Sequence, residues 1–229
     1  MLGQIGTHVS KAYSFSRVTG CAHEVNLKSG FTLDLLANDP DDNMPWDFSK
    51  RHKREKALLK VKEEKPFLII GCSPCTAFQK LFESNASTMD TAKKRDAIRE
   101  ELIHLKFVTQ LYRIQINAGR YFLHEYPWRA LSWKARCMQQ LLKDPSVRTV
   151  KGYMCEHSMI EGKPALKPMG WCSNSPHVLT HMHRLCKRQK AGPAAIWPRD
   201  VCMSILRGLR EQLVEDGIVS LNGFGSVCE

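Results

Sequence analysis

Two short apolar runs, Phe67 to Ile70 and Tyr121 to His124, bracket a long stretch with a different rhythm. Across Thr91 to Asn117, Ile98, Leu102, Leu105, Val108 and Tyr112 recur every three or four positions, the spacing of one helix face. Gly119 follows as a helix-closing residue. The run at Phe67 to Ile70 is continuously apolar, as in a strand covered on both faces. A strand, a crossing helix and a second strand in this order constrain the chain towards a parallel sheet.

The same alternation extends to both sides. Ala12 to Phe15 reads as a strand, and Arg17 to Asn26 as a helix with Ser16 as its N-cap. Lys28-Ser29-Gly30 is turn chemistry, and Phe31 to Leu35 a second strand. An acidic loop, Asn38 to Ser49, precedes a charged helix over Lys50 to Lys65, with Ala57, Leu58, Leu59 and Val61 as its inner face. The spacing predicts a helix over Trp128 to Lys143, strands over Thr149 to Cys155 and Gly170 to Ser173, and a last helix opened by Pro198. Val201, Ile205, Leu209 and Leu213 form its inner face, and Gly217 ends it. The expectation is one α/β domain over residues 1–229, with a mostly parallel sheet and helices on both faces. Such sheets hold ligands at the carboxyl ends of their strands. Asp34, Cys75 and Glu125 all fall at or just past predicted strand ends and can share one crevice.

The composition, 43% hydrophobic, supports a sizeable core. No segment approaches the roughly 18 apolar residues of a membrane span. With no signal-peptide pattern at the start, the expectation is a soluble intracellular protein without a membrane partner. Nine cysteines, an odd number, argue against a disulfide framework. The 34 Lys and Arg against 23 Asp and Glu give a charge of +11. That excess suits a polyanion such as nucleic acid, and suits equally an ordinary basic surface. The basic cluster in Lys50 to Lys56 has the same two readings: phosphate contact or localisation signal, against a solvated helix face.

The thiols admit three chemistries. Cys72-Ser-Pro-Cys75 is a C-x-x-C, the spacing of a redox pair. Cys155, His157, Cys172, His181, His183 and Cys186 are zinc-ligand types, without finger-like spacing. Cys75, stiffened by Pro74, can be a nucleophile if a proton-handling group lies nearby, and Glu125 is the candidate.

Taken in order, these segments resemble the catalytic domain of the DNA cytosine-5 methyltransferases, in the divergent form found in phage and mobile elements. SPCTAF, Ser73 to Phe78, is similar to the family's Pro-Cys nucleophile loop, and HEYP, His124 to Pro127, to its Glu-Asn-Val segment. Lys11 to Asn26 sits where the first cofactor-binding strand and helix belong; Tyr13, Ser14, Phe15 and Ser16 form the turn. FTLDL carries Asp34 as the ribose-binding acid, and PWDF carries Asp47 and Phe48 beside the adenine. Tyr153 to Met159 and Lys167 to Pro176 resemble the late strand pair, and PRDVCMSILRGL the C-terminal segment.

The resemblance implies a Rossmann-like fold, S-adenosylmethionine as cofactor, DNA as partner, and a nuclear location if the source is eukaryotic. It implies that Cys75, in a loop shaped by Pro74, adds to carbon 6 of a flipped cytosine, while Glu125 holds the ring. Departures are visible. The glycine-rich turn reads FSRVTG, Tyr126 replaces the Asn, and CEHSM replaces an arginine-bearing strand. Residues 156–197 leave only a reduced target-recognition region. Two alternatives follow from these facts: a catalytically degenerate methyltransferase fold that binds nucleic acid, and a thiol oxidoreductase using Cys72 and Cys75.

Overall fold

A computed structural model describes residues 6–13, 17–73, 91–160, 163–183 and 197–220. Its centre is a six-stranded sheet built from β1 (Val9–Ala12), β2 (Ser29–Leu33), β3 (Leu68–Gly71), β4 (Tyr121–Pro127), β5 (Arg148–Ile160) and β6 (Lys163–Ser173). The spatial order is β2-β1-β3-β4-β6-β5. β2, β1, β3 and β4 run parallel to one another, and β6 runs against both β4 and β5.

Helices cover both faces. α1 (Arg17–Gly20), α5 (Pro176–His183) and α6 (Arg199–Glu215) lie on one. There Val18, Val178, Met182, Ile205 and Leu209 meet Val9, Leu68, Ile70, Leu123 and Trp171 of the sheet. α2 (Arg51–Glu64), α3 (Thr91–Asn117) and α4 (Arg136–Leu141) lie on the other. Ala57, Val61, Leu105, Val108 and Tyr112 pack there on Ala12, Ile69 and Phe122. The fold is α/β and Rossmann-like. From β1 the chain steps out to β2, then returns across β1 to β3, so the strand order reverses between β1 and β3. In open α/β sheets ligands bind at such a reversal, which here falls at the carboxyl ends of the two strands, Ala12-Tyr13 and Gly71-Cys72.

Several boundaries differ from the sequence expectation. The first strand is Val9–Ala12, not Ala12 to Phe15, because Lys11 lies within it and is only 1% exposed. The helix expected over Arg17 to Asn26 stops at Gly20 and continues as a 3-10 turn, Ala22–Val25, closed by left-handed Asn26. β2 begins at Ser29, inside the expected turn. In α2, Ala57 and Val61 are buried four residues apart, whereas Leu59 falls on the opposite side and is 56% exposed. Trp128 to Lys143 is broken into a 3-10 turn, Leu131–Lys134, and the short α4, because Ala130 and Ala135 are extended.

The last expected strand, Gly170 to Ser173, is the end of the eleven-residue β6. Pro164 and Pro168 discourage a strand reading, since proline cannot donate to a ladder. They are accommodated because β4 pairs only with Met169 to Ser173, so β6 has one neighbour at both prolines. The stretch 156–197 contributes the ends of β5, β6 and α5; its residues 161–162 and 184–196 lie outside the described part.

Candidate active site

The parallel register aligns Gly71 with His124, so the residues just after β3 lie beside the last residues of β4. Ser73 and Tyr126 meet through their hydroxyls at 2.5 Å. The Cys72 thiol hydrogen-bonds the Glu125 carboxylate; burial, then the charge of Glu125, push the thiol well above its ordinary range. Cys72 is therefore held protonated, the reverse of an activated redox thiol. Glu125 faces Trp171 across the β4–β6 pair.

Lys11 reaches the same face of the sheet. Its ammonium sits 4.8 Å from the centre of the Trp197 ring, which precedes α6. Burial lowers its pKa, while Cys72, Cys202, Asp34 and Glu125 oppose that shift electrostatically. The buried Lys11 amine thus stands close enough to sense acids from both the β2 and the β4 side.

Behind the strand ends, Tyr112 of α3 donates to the Gly71 carbonyl at 2.7 Å and meets Nδ1 of His124 at 2.9 Å. Burial pulls His124 down to about 3, so the ring is neutral. The Tyr112 proton is committed to Gly71, which leaves the His124 Nδ1–H as donor to the phenol oxygen. A Cβ at Gly71 would lie 2.4 Å from the Tyr112 oxygen, so this contact needs glycine.

On the β1–β2 side, Tyr13 follows β1 with φ +65°, a conformation that costs an L-residue roughly 1–2 kcal/mol. Its amide bonds the Leu33 carbonyl, which sets it beside Asp34. Its phenol bonds Nδ1 of His104 at 2.8 Å, and its ring stacks edgewise on Phe48 at 4.7 Å. Phe48 is 2% exposed and also packs on Phe107. Its ring is committed to the core, and Tyr13 is the half-buried aromatic at this end. Asp34 accepts from the Leu36 amide at 2.6 Å. Asp47 accepts from the Ser49 amide; burial would raise its carboxyl, and the Ser49 hydrogen bonds bring it below its ordinary value.

The acidic loop is clamped on α2. Buried Asp39 takes Lys53 at 2.7 Å and also Lys56; Lys53 reaches Asp42 and Lys56 reaches Asp41. Both ammonium groups lie over the Trp46 ring, at 5.2 and 5.5 Å. Arg54 donates to the carbonyls of Phe48 and Ser49, and Arg51 pairs with Glu55. The cations of this cluster are thus largely spent inside the molecule, where they fix Asp47 and Phe48.

Ser14, Phe15, Ser16, Pro74 and Cys75 lie outside the described residues. Of the zinc-type side chains, Cys172 is buried in the core and His181 pairs with Glu211 at 3.0 Å. Among the described residues, no group of three or more His, Cys, Asp or Glu is placed to hold a metal.

Neither a protein-family model nor a curated protein matches the chain. Among solved structures, the fold is similar to that of the Entamoeba histolytica methyltransferase EhMeth, with a TM-score of 0.41 and 11% identity. The match covers 83% of this chain and 58% of that one. The likeness is loose, and what the site can do rests on this chain's own residues.

The sequence reading brings Tyr13, Asp34, Asp47 and Phe48 to one end of the sheet and Glu125 to the same edge. It misses Lys11, the Cys72–Glu125 contact and the Tyr112–His124 pair. Lys11 was legible only as a cation inside the alternating segment HVSKA, where lysine is seldom fully buried. Among the described residues no helix is long and apolar enough to cross a membrane.

Proposed function

We propose that this chain is an S-adenosylmethionine-dependent methyltransferase acting on cytosine in DNA, with Cys75 as nucleophile and Glu125 holding the base. The observation that carries the reading is the contact of Glu125 and Tyr126 with Cys72 and Ser73. Cys75 follows Ser73 by two positions in the sequence. Glu125 is partly exposed, which suits a carboxyl that must touch a substrate ring.

The residues at the β1–β2 end fit the cofactor by their chemistry. A carboxylate at the end of β2, Asp34, suits a ribose diol, and the half-buried Tyr13 ring beside it suits an adenine. When bound there, S-adenosylmethionine supplies an electrophilic methyl group. The chain's own residues do the rest. The Cys75 thiolate forms a bond to carbon 6 of cytosine, which pushes electron density onto carbon 5. Glu125 holds the ring near nitrogen 3 and stabilises it during the attack. Loss of the carbon-5 proton later breaks the sulfur–carbon bond and frees Cys75. The target base must leave the duplex to reach both groups.

The test is mass spectrometry of DNA incubated with the protein and isotope-labelled cofactor, with Cys75→Ala and Glu125→Gln alongside. The wild type should label cytosine and form a covalent adduct on a 5-fluorocytosine duplex, and neither variant should. Unlabelled DNA together with no adduct would count decisively against the reading.

A second reading is a catalytically silent methyltransferase fold that binds nucleic acid. The close packing of Phe48 and of Lys11 around the β1 end favours it. Calorimetric titration with S-adenosylmethionine separates the two, since only the enzyme should bind it.

A further inference from the structure

From Tyr126 to Cys155 the chain carries six Lys and Arg and a single acid, Asp144. That acid is occupied, bonding the amide and hydroxyl of Ser146 at 2.9 and 2.6 Å. Arg129, Lys134 and Arg136 are all exposed, and none is paired with a carboxylate among the described residues. This contrasts with Lys53 and Lys56 of α2, which pair with the acids of the preceding loop. Arg129 stands in the turn just after β4, and Lys134 and Arg136 stand in the 3-10 turn and the start of α4 that follow.

An aromatic ring directly precedes Arg129 in the chain. Trp128 is 39% exposed, three residues past Glu125. Its amide donates to the Pro168 carbonyl at 3.0 Å. The bare backbone of Gly170 supports both indoles of this region: a Cβ there would lie 2.7 Å from Trp133 and 3.3 Å from Trp128. Trp133 is pinned in turn by its indole N–H on the Pro127 carbonyl at 2.9 Å. Trp128 is thus a supported, partly open ring flanked by free cations.

We infer that Trp128, Arg129, Lys134 and Arg136 form a docking surface for a single strand of nucleic acid. Unpaired bases have open faces that stack on an aromatic ring, and cations track the phosphates beside it. A duplex hides those faces, so the exposed indole favours an unpaired or locally opened strand. This inference rests on the proposed nucleic-acid substrate but not on methyl transfer taking place.

The test is fluorescence anisotropy of a dye-labelled mixed-sequence oligonucleotide of about 20 nucleotides, single-stranded and as a duplex, over a salt series. The Arg129→Ala/Lys134→Ala/Arg136→Ala variant should bind the single strand at least tenfold more weakly. The slope of log affinity against log salt should fall by about 2, from roughly 0.7 per lost phosphate contact. Trp128→Ala should weaken single-strand binding about tenfold and leave its salt slope unchanged. An Arg95→Ala/Arg99→Ala/Lys106→Ala variant on α3 removes the same charge elsewhere and should bind nearly as the wild type does. The inference is overturned if the wild type prefers the duplex or binds neither form at low salt. It is also overturned if the α3 variant loses as much affinity, or if Trp128→Ala changes nothing. Labelled-methyl incorporation is measured on the same wild-type sample. Single-strand binding without incorporation retires the methyltransferase reading and keeps the surface; incorporation without such binding does the reverse.

Discussion

The hydroxyls of Ser73 and Tyr126, fifty-three positions apart, approach to 2.5 Å at the ends of two neighbouring strands. Both residues are buried, so neither hydroxyl has bulk water as a substitute partner. Tyr126→Phe should therefore destabilise the protein by about 1–2 kcal/mol in urea unfolding, through an unsatisfied Ser73. Ser73→Ala/Tyr126→Phe together should cost less than the sum of the single changes.

Cys72 should be a slow thiol. Burial and then the Glu125 charge hold it protonated, with Lys11 acting the other way. Alkylation by iodoacetamide, mapped by mass spectrometry across pH, should find Cys72 labelled late. Glu125→Gln removes the charge and should shift its labelling to lower pH; Lys11→Met should shift it higher. Equal labelling in all three proteins would contradict the contact.

Asp39 ties the acidic loop to α2. Burial alone would raise its carboxyl, but hydrogen bonds from Lys53 and Lys56 overcome this and hold it at about 2. A carboxyl lowered from 3.8 stabilises the fold above that value and loses its contribution as the pH falls towards about 2. Acid unfolding of Asp39→Asn should accordingly show a flatter pH dependence over this window. At neutral pH the change leaves the buried Lys53 short of an acid and should cost about 2 kcal/mol.

Gly208 lets α6 lie directly on α5. A Cβ there would meet the Val178 backbone at 2.8 Å and the His177 carbonyl at 3.0 Å. Backbone cannot rotate aside, so Gly208→Ala should cost about 1–3 kcal/mol despite its better helix propensity. A thermal melt with an unchanged or higher midpoint would show that the two helices pack more loosely than described.

The sequence was most legible where local pattern and tertiary demand agree. The α3 limits, Thr91–Asn117, follow from an apolar stripe long enough to outweigh chance, and β3 from a run too apolar for a surface. The place of Asp34 just past β2 follows from the alternation of strands and helices, whereas Glu125, expected just past a strand ending at His124, lies inside β4, which pairs with β6 as far as Pro127. Lys11 is different. Its burial depends on Trp197, more than 180 positions away, and no local signal announces such a partner. Cys72 likewise reads as one half of a C-x-x-C until the β3–β4 register sets it against Glu125. β6 was shortened by its prolines because a single sequence does not show that β4 ends before reaching them.

Those prolines have a consequence for the protein in a crowded solution. Pro168 gives its carbonyl to the Trp128 amide, so its nitrogen faces the same way, at the point where the β4 ladder ends. Pro164, four positions earlier, has the same strand parity. A foreign backbone arriving at the flank beyond that point would find carbonyls there but no proline amides to complete a ladder. On that flank the two prolines blunt the bare stretch of β6 as a template for a further strand.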